Sequence, residues 1–353
     1  MHMADALVSP AVGGTMWAAA GGSIAFCARK VKQSPRDDLV PLMGVMGAFV
    51  FAAQMINFSI PGTGSSGHLG GGLILTLLLG PCAALLVIAS VLTVQAFFFA
   101  DGGLLALGCN IVNLGCIPAF IAYPLVYRGL AGNARSTSRG RAATMVAAIV
   151  GLQLGAFAVV LETRASGISE LPFGAFVLLM QPIHLAIGVV EGLATVAALS
   201  FIARARPEAL SAPSQVGTSV RLRSVLVGVA VCAAILGGVA SWFASTHPDG
   251  LEWSIAGVSG REELRSSRDG LRGKLAALQE ATAFLPGYGF RTTGHPAAPA
   301  ESDRPTAQPW PAVSAETSLS GFVGGSLTLA LACLLGLGLR AGARRGAGRT
   351  GRG

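Results

Sequence analysis

The chain is a succession of long apolar runs separated by short polar breaks. The runs fall at about 11–28, 39–59, 70–100, 104–127, 142–161, 172–203, 224–244 and 321–339. About 20 residues of helix suffice to cross a bilayer, so each run reads as at least one membrane span. Run 70–100 is too long for one crossing. It breaks at Gly80-Pro81, where the proline disfavours an uninterrupted helix, and so gives two spans, the first of them short. The pattern therefore predicts nine spans.

Basic residues decide the orientation. Four clusters flank the runs: Arg29, Lys30, Lys32 and Arg36; Arg128, Arg135, Arg139 and Arg141; Arg204, Arg206, Arg221 and Arg223; and Arg340, Arg344, Arg345, Arg349 and Arg352. Positively charged loops stay in the cytoplasm, which puts the N-terminus outside and the tail inside. The loop 60–69 and the Asp101-Gly102-Gly103 turn then share the outer face with the N-terminus. The expected fold is an all-α integral membrane protein: a seven-helix bundle over residues 1–205, a cytoplasmic linker over 206–223, and a two-helix module over 224–353. That module encloses an extracytoplasmic region at 245–320. Within it, 261–283 reads as a helix interrupted by Gly270 and Gly273, and 294–315 as a flexible linker rich in Pro, Ala, Ser and Thr. The opening MHMADALVSP lacks the basic n-region of a signal peptide, so the mature chain is expected to begin at Met1 or, once that is removed, at His2.

Composition agrees with this picture. Hydrophobic residues make up 52% of the 353 and charged residues 12%, where soluble domains carry about a quarter charged. The net charge of +8 resides in the clusters beside the runs. It reads as topology in a multi-pass cell-membrane protein, in contact with lipid and not with nucleic acid. All six cysteines lie in apolar stretches, with no zinc spacing and none in the polar region 245–319. That excludes a disulfide-stapled ectodomain.

The loop PGTGSSGHLGGG, residues 61–72, carries the first chemical question. Gly62 to Gly67 spell G-x-G-x-x-G, the pattern of a dinucleotide-binding turn. Such a turn needs a preceding buried strand, a following helix and an acidic residue about 20 positions on. Here a membrane span precedes it, and the first acidic residue to follow it is Asp101. No phosphate-binding G-x-x-x-x-G-K-[ST] loop exists either, so no nucleotide is expected on this chain. His68 is what remains, flanked by glycines that allow close backbone approach. It shares a face with His2. The α-amine of Met1, the deprotonated amide of His2 and one His2 imidazole nitrogen can chelate a metal through fused rings, with His68 as a fourth donor. Four nitrogens in a plane suit Ni(II) or Cu(II), and Co(II) tolerates such donors. A solvent-facing loop histidine is the alternative reading at this point.

Ionisable groups inside a membrane are costly and usually functional. His184 and Glu191 are seven residues apart in one run, and Thr195 extends the same helix face. A metal path or a supporting role competes there with a buried structural pair, and the pair has slightly more weight. Asn110 and Asn113 share another face and can hydrogen-bond between helices.

Four ordered stretches, MHMADALVSP, GTGSSGHLGGGLILTLLLGP, VLTVQAFFFADGGLLALGCNIVN and HLAIGVVEGLAT, resemble the successive signatures of the CbiM/NikM family over about residues 1–205. These are substrate-capture components of energy-coupling-factor transporters for cobalt and nickel. HPDGLEWS (247–254) and LPGYGF (285–290) resemble a companion subunit with a PDGLE-type domain, here fused. The resemblance implies metal ligation at Met1, His2 and His68, with support from the His184 to Thr195 stretch. Ala4 and Ala6 depart from the family's HIPDG opening. It also implies Ni(II) or Co(II) as cargo, two cytoplasmic ATPase subunits and a transmembrane coupling subunit as partners, and no enzyme activity in this chain. Gly44, Ala48 and Ala52, at four-residue spacing, offer a helix-contact stripe for that partner. A self-sufficient channel or ion-coupled transporter through His184 and Glu191, or a membrane metal sensor, are the competing classes.

Overall fold

The computed structural model describes residues 2–33, 36, 38–132, 138–205, 219–262, 264, 269–291 and 310–350. Met1, most of the expected 206–223 linker and most of the 294–315 linker lie outside the described residues. What is described is predominantly helical. The order is α1 (Pro10–Gln33), α2 (Leu39–Gln54), a hairpin of β1 (Phe58–Ile60) and β2 (Ser65–Gly67), α3 (Gly72–Leu79), α4 (Pro81–Phe99), α5 (Leu107–Ala131), α6 (Ser138–Ser166), α7 (Phe173–Ala205), α8 (Ser219–Gly238), α9 (Gly250–Ser259), α10 (Gly270–Thr282) and α11 (Ala315–Thr350).

Six of these helices are long and apolar enough to cross a membrane: α1, α4, α5, α6, α7 and α11. Two shorter apolar stretches, Leu39–Gln54 and Leu222–Gly238, add to them. The best buried is α4, whose Leu85, Leu86, Ile88 and Leu92 sit at the centre of the main core with Phe51, Phe99 and Met3. Around it, Leu125, Leu178, Leu193, Phe201, Val231 and Leu334 point outward and exposed. A bundle apolar on the outside as well as the inside is built for a bilayer.

Gly80 and Pro81 break the chain as the sequence predicts. Gly80 takes a φ of +87°, and Pro81 opens α4, where its missing N–H costs nothing. The short span before the break is shorter than a crossing, however. Eight residues of α3 rise about 12 Å against a hydrocarbon core of about 30 Å. Leu69, Gly70 and Gly71 precede it as non-helical chain inside the bundle. Their main-chain groups are satisfied by side chains: Glu191 accepts from Gly70 N–H at 2.9 Å and Gly71 N–H at 3.2 Å, and Gln54 donates to Gly70 O at 2.8 Å. Gln95 in turn donates to Gln54 at 2.9 Å. Irregular backbone at membrane depth is tolerable only when so enclosed.

Two expectations need correction. The stripe Gly44-Ala48-Ala52 faces this chain's own α8 and α11 and is not open to another subunit. A Cβ on Gly44 would lie 2.3 Å from Cys333 Sγ, and one on Gly324 would meet the Phe51 ring at 1.9 Å. Small residues there let α2 and α11 close on each other, and Ala48 and Ala52 are buried. Of the helix expected over 261–283, the described residues form Gly270–Thr282, with Asp269 at the cap position and Gly270 at a φ of +57°, while Arg261, Glu262 and Leu264 are not helical. A further helix, α9, occupies the PDGLE stretch. Asp249 Oδ1 accepts from Leu251 N–H at 2.7 Å and Glu252 N–H at 2.9 Å, while Glu252 accepts from Asp249 N–H at 2.9 Å. This is a capping box, and it accounts for the D-x-x-E spacing of the motif.

Candidate metal centre

The N-terminal segment is fastened by hydrogen bonds to main-chain atoms. Asn110 on α5 accepts from Met3 N–H at 2.8 Å and donates to Met3 O at 3.2 Å. Gly103 N–H donates to the same carbonyl at 2.9 Å. Two residues on, Asp5 accepts from Ala106 N–H at 3.0 Å. These bonds fix His2 against the 101–103 turn, where His2 Nδ1 lies 3.0 Å from Asp101 Oδ1. His2 Nε2 is buried and has no partner among the described residues.

His68 arrives from the other side. The β1–β2 hairpin pairs Phe58 with Gly67, and Gly62 and Gly64 turn it through left-handed φ angles of +78° and +72°. A Cβ on Gly67 would come within 2.5 Å of Ile187 Cγ1, so the glycines serve a tight turn and a close approach to α7. The His68 ring then stacks on His2, with centroids 5.0 Å apart and planes within 8° of parallel. His68 Nδ1 lies 3.1 Å from Leu69 O and carries the proton, because a carbonyl can only accept. That leaves Nε2, 4.0 Å from Asp249 Oδ2, as the lone-pair nitrogen.

The companion module roofs the site. Ser66 N–H donates to Pro248 O at 2.8 Å, Ser66 Oγ to His247 O at 2.8 Å and Trp253 Nε1 to Thr63 O at 2.9 Å. From α10, Gln279 donates to Ala96 O and Gly102 O, and Arg272 to Val8 O. Tyr288 stacks on Phe99 and donates its hydroxyl to Asp101. Burial alone raises the Asp101 pKa, but the His2 imidazole and the Tyr288 hydroxyl outweigh it and hold the carboxyl below the usual carboxylate range. The Tyr288 phenol is pushed up by its burial and by that same carboxylate.

The remaining sequence candidates divide. His184 lines a small cavity with His68, Asp249 and Gly250, and its Nδ1 is bonded to Met180 O at 2.8 Å. Glu191 is spent on the Gly70-Gly71 backbone, and Thr195 lines a neighbouring apolar cavity with it. Asn113 bonds across to Glu162 on α6 at 2.9 Å, whereas Asn110 holds the N-terminal strand in place of a helix. Among the described residues no group of three His, Cys, Asp or Glu side chains stands as a ready-made metal site. Two imidazoles here therefore need other donors beside them. Asp101, Asp249 and Tyr288 escaped the sequence reading. The usable signals were an acid in a turn on the His2 face and the D-x-x-E capping spacing.

Asn110→Ala removes both side-chain bonds to Met3 and strands a buried N–H, at about 1–3 kcal/mol. It is expected to weaken metal binding by loosening His2 while leaving the bundle folded, as read by titration of the purified protein and circular dichroism.

A helical bundle of this hydropathy is an integral membrane protein, and comparison with known proteins gives its class, plasma-membrane transport of cobalt and nickel. Residues 2–209 match the family model described as CbiM, cobalt uptake substrate-specific transmembrane region, and residues 223–341 match the PDGLE domain. The chain belongs to the CbiM family, with a PDGLE domain fused behind it. It is 29% identical to the fused nickel transport protein NikMN of Rhodobacter capsulatus over 310 residues, 82% of this chain and 88% of that one. It is 31% identical to the cobalt transport protein CbiM of Geobacter sulfurreducens over 221 residues, 60% of this chain and 62% of that one. A crystal structure of a truncated transition metal transporter superposes with a TM-score of 0.51 at 28% identity, covering 58% of this chain and 99% of the other.

Proposed function

We propose that this chain is the metal-capturing membrane subunit of an ATP-driven nickel or cobalt importer of the energy-coupling-factor type. Its N-terminus faces outside, and Ni(II) or Co(II) is its cargo. The observation that carries this reading is the parallel pair of His2 and His68, held by two separate segments with each side chain only 7% exposed. The Met1 amine and the His2 amide complete a four-nitrogen set with them. Closing the fused ring requires His2 Nδ1, the nitrogen that faces Asp101. Metal entry therefore exchanges that carboxylate contact for a metal bond. The chain crosses the membrane nine times, with residues 69–79 making the third crossing partly as non-helical chain. Residues 1–205 form the capture domain and 224–353 the companion module, joined by a cytoplasmic linker at 206–223.

Energy comes from other chains: cytoplasmic ATPase subunits and a transmembrane coupling subunit. A channel through His184 and Glu191 has less support, because both Glu191 oxygens are bonded to loop N–H groups. The test is accumulation of radioactive nickel in cells expressing the chain with its partners. Inactivating the partner ATPase abolishes uptake on this reading, and uptake that persists unchanged overturns it.

A further inference from the structure

The PDGLE motif brings a carboxylate to the metal side of His68. With Nδ1–H bonded to Leu69 O, the lone pair of the ring lies on Nε2, and Asp249 Oδ2 stands 4.0 Å from it. Transition-metal bonds to imidazole nitrogen and carboxylate oxygen run at about 2.0–2.2 Å each, so an ion fits between two such atoms. The carboxylate is also aimed. Its other oxygen, Oδ1, takes both N–H groups of the capping box, which fixes the plane of the group and turns Oδ2 toward the histidine. Gly250 lets the segment come this close. A Cβ there would lie 3.1 Å from His184 Cε1 and 3.1 Å from the side chains of Ile183 and Ile187. Ser66 N–H to Pro248 O then fixes the register between the two segments, two residues from His68 and one from Asp249.

We propose that Asp249 is a metal ligand: the fused module adds a carboxylate oxygen to the ion held by His2 and His68. This rests on the metal centre proposed above and adds a donor to it. The coordination changes in kind. Four nitrogens in a plane give diamagnetic, planar Ni(II), whereas a carboxylate as fifth donor, at the wide angle to His68 that the 4.0 Å separation sets, pulls the ion out of that planar arrangement and gives a five-coordinate, paramagnetic ion. The companion module thereby governs the geometry of the bound metal as well as access to it.

The test uses the purified full chain loaded with Ni(II), with magnetic susceptibility and X-ray absorption at the nickel edge as readouts. Asp249→Asn keeps the cap, since Asn caps as well as Asp. Its single carbonyl oxygen serves the Leu251 and Glu252 N–H groups and leaves an NH2 toward the metal. Wild type is expected to be paramagnetic with an oxygen donor, whereas Asp249→Asn becomes planar and diamagnetic, with affinity lower by at least the roughly 10–100-fold that loss of an outer partner costs a metal site. Glu252→Gln, which preserves the capping box, keeps the wild-type spectrum. Identical spectra for wild type and Asp249→Asn, with His68→Ala unable to bind, overturn the role of Asp249 alone. Wild-type binding by His68→Ala overturns the centre and this proposal together.

Discussion

Replacing His68 by alanine abolishes tight nickel and cobalt binding. The loss exceeds the roughly 10–100-fold that removal of an outer partner costs a metal site, because a donor itself disappears. The His68 ring is held on three counts: by its Leu69 carbonyl bond, by stacking on His2 and by the hairpin behind it. Alanine leaves all the backbone contacts in place, so unfolding temperature in detergent changes little while metal affinity falls steeply. Extending the N-terminus by four residues has a comparable effect, since it removes the amine from the chelate and leaves both imidazoles present. Isothermal titration of the two variants beside wild type reads the result. Retention of wild-type affinity by both variants sinks the proposed donor set.

Glu191→Leu has the largest effect on the fold. Its carboxylate is the acceptor for two consecutive buried N–H groups, at Gly70 and Gly71. Leucine fills the space and leaves both donors unpaired, at about 1–3 kcal/mol each. A Cβ on Gly70 would already lie 3.0 Å from Glu191 Oε2, so the loop has no slack to find another acceptor. The expected outcome is a clear drop in thermal stability together with weakened metal binding, because His68 lies two residues before the unmoored glycines. Glu191→Gln retains one good acceptor and recovers about half of the loss. If Glu191→Leu kept full stability and lost only transport, the side chain would be part of an ion path instead.

The sequence made the span pattern legible because crossing a bilayer demands about 20 apolar residues, and this chain meets the demand with few charges. Gly80-Pro81 was legible for an equally local reason, as a proline cannot continue the preceding helix. The non-helical passage at residues 69–71 was not, since three residues in an apolar run leave no periodicity to detect. Its signature lies in the buried amides and acid that feed it, Gln54 and Glu191, which sit on two other helices. His2 and His68 were singled out from chemistry and a shared face. The carboxylates beside them could not be placed in advance: Asp249 reaches His68 only through contact between two modules more than 180 residues apart. Glu162, bonded to Asn113, lay just beyond the run expected to form its span. The covered stripe on α2 went wrong for the opposite reason. Small-residue spacing announces close helix contact without saying which helix.

The join between the hairpin and the PDGLE segment is made largely by main-chain atoms, through Ser66 N–H on Pro248 O, Ser66 Oγ on His247 O and Trp253 Nε1 on Thr63 O. A fit of this kind is indifferent to most of the side chains around it. Each half can accumulate substitutions independently, and a companion module borrowed from a relative has a fair prospect of seating on this bundle. The exceptions are Ser66 and Trp253, whose own side chains donate two of those three bonds. The connection behaves as a standard coupling with two fixed points, and exchange of modules between relatives is the natural way to measure its tolerance.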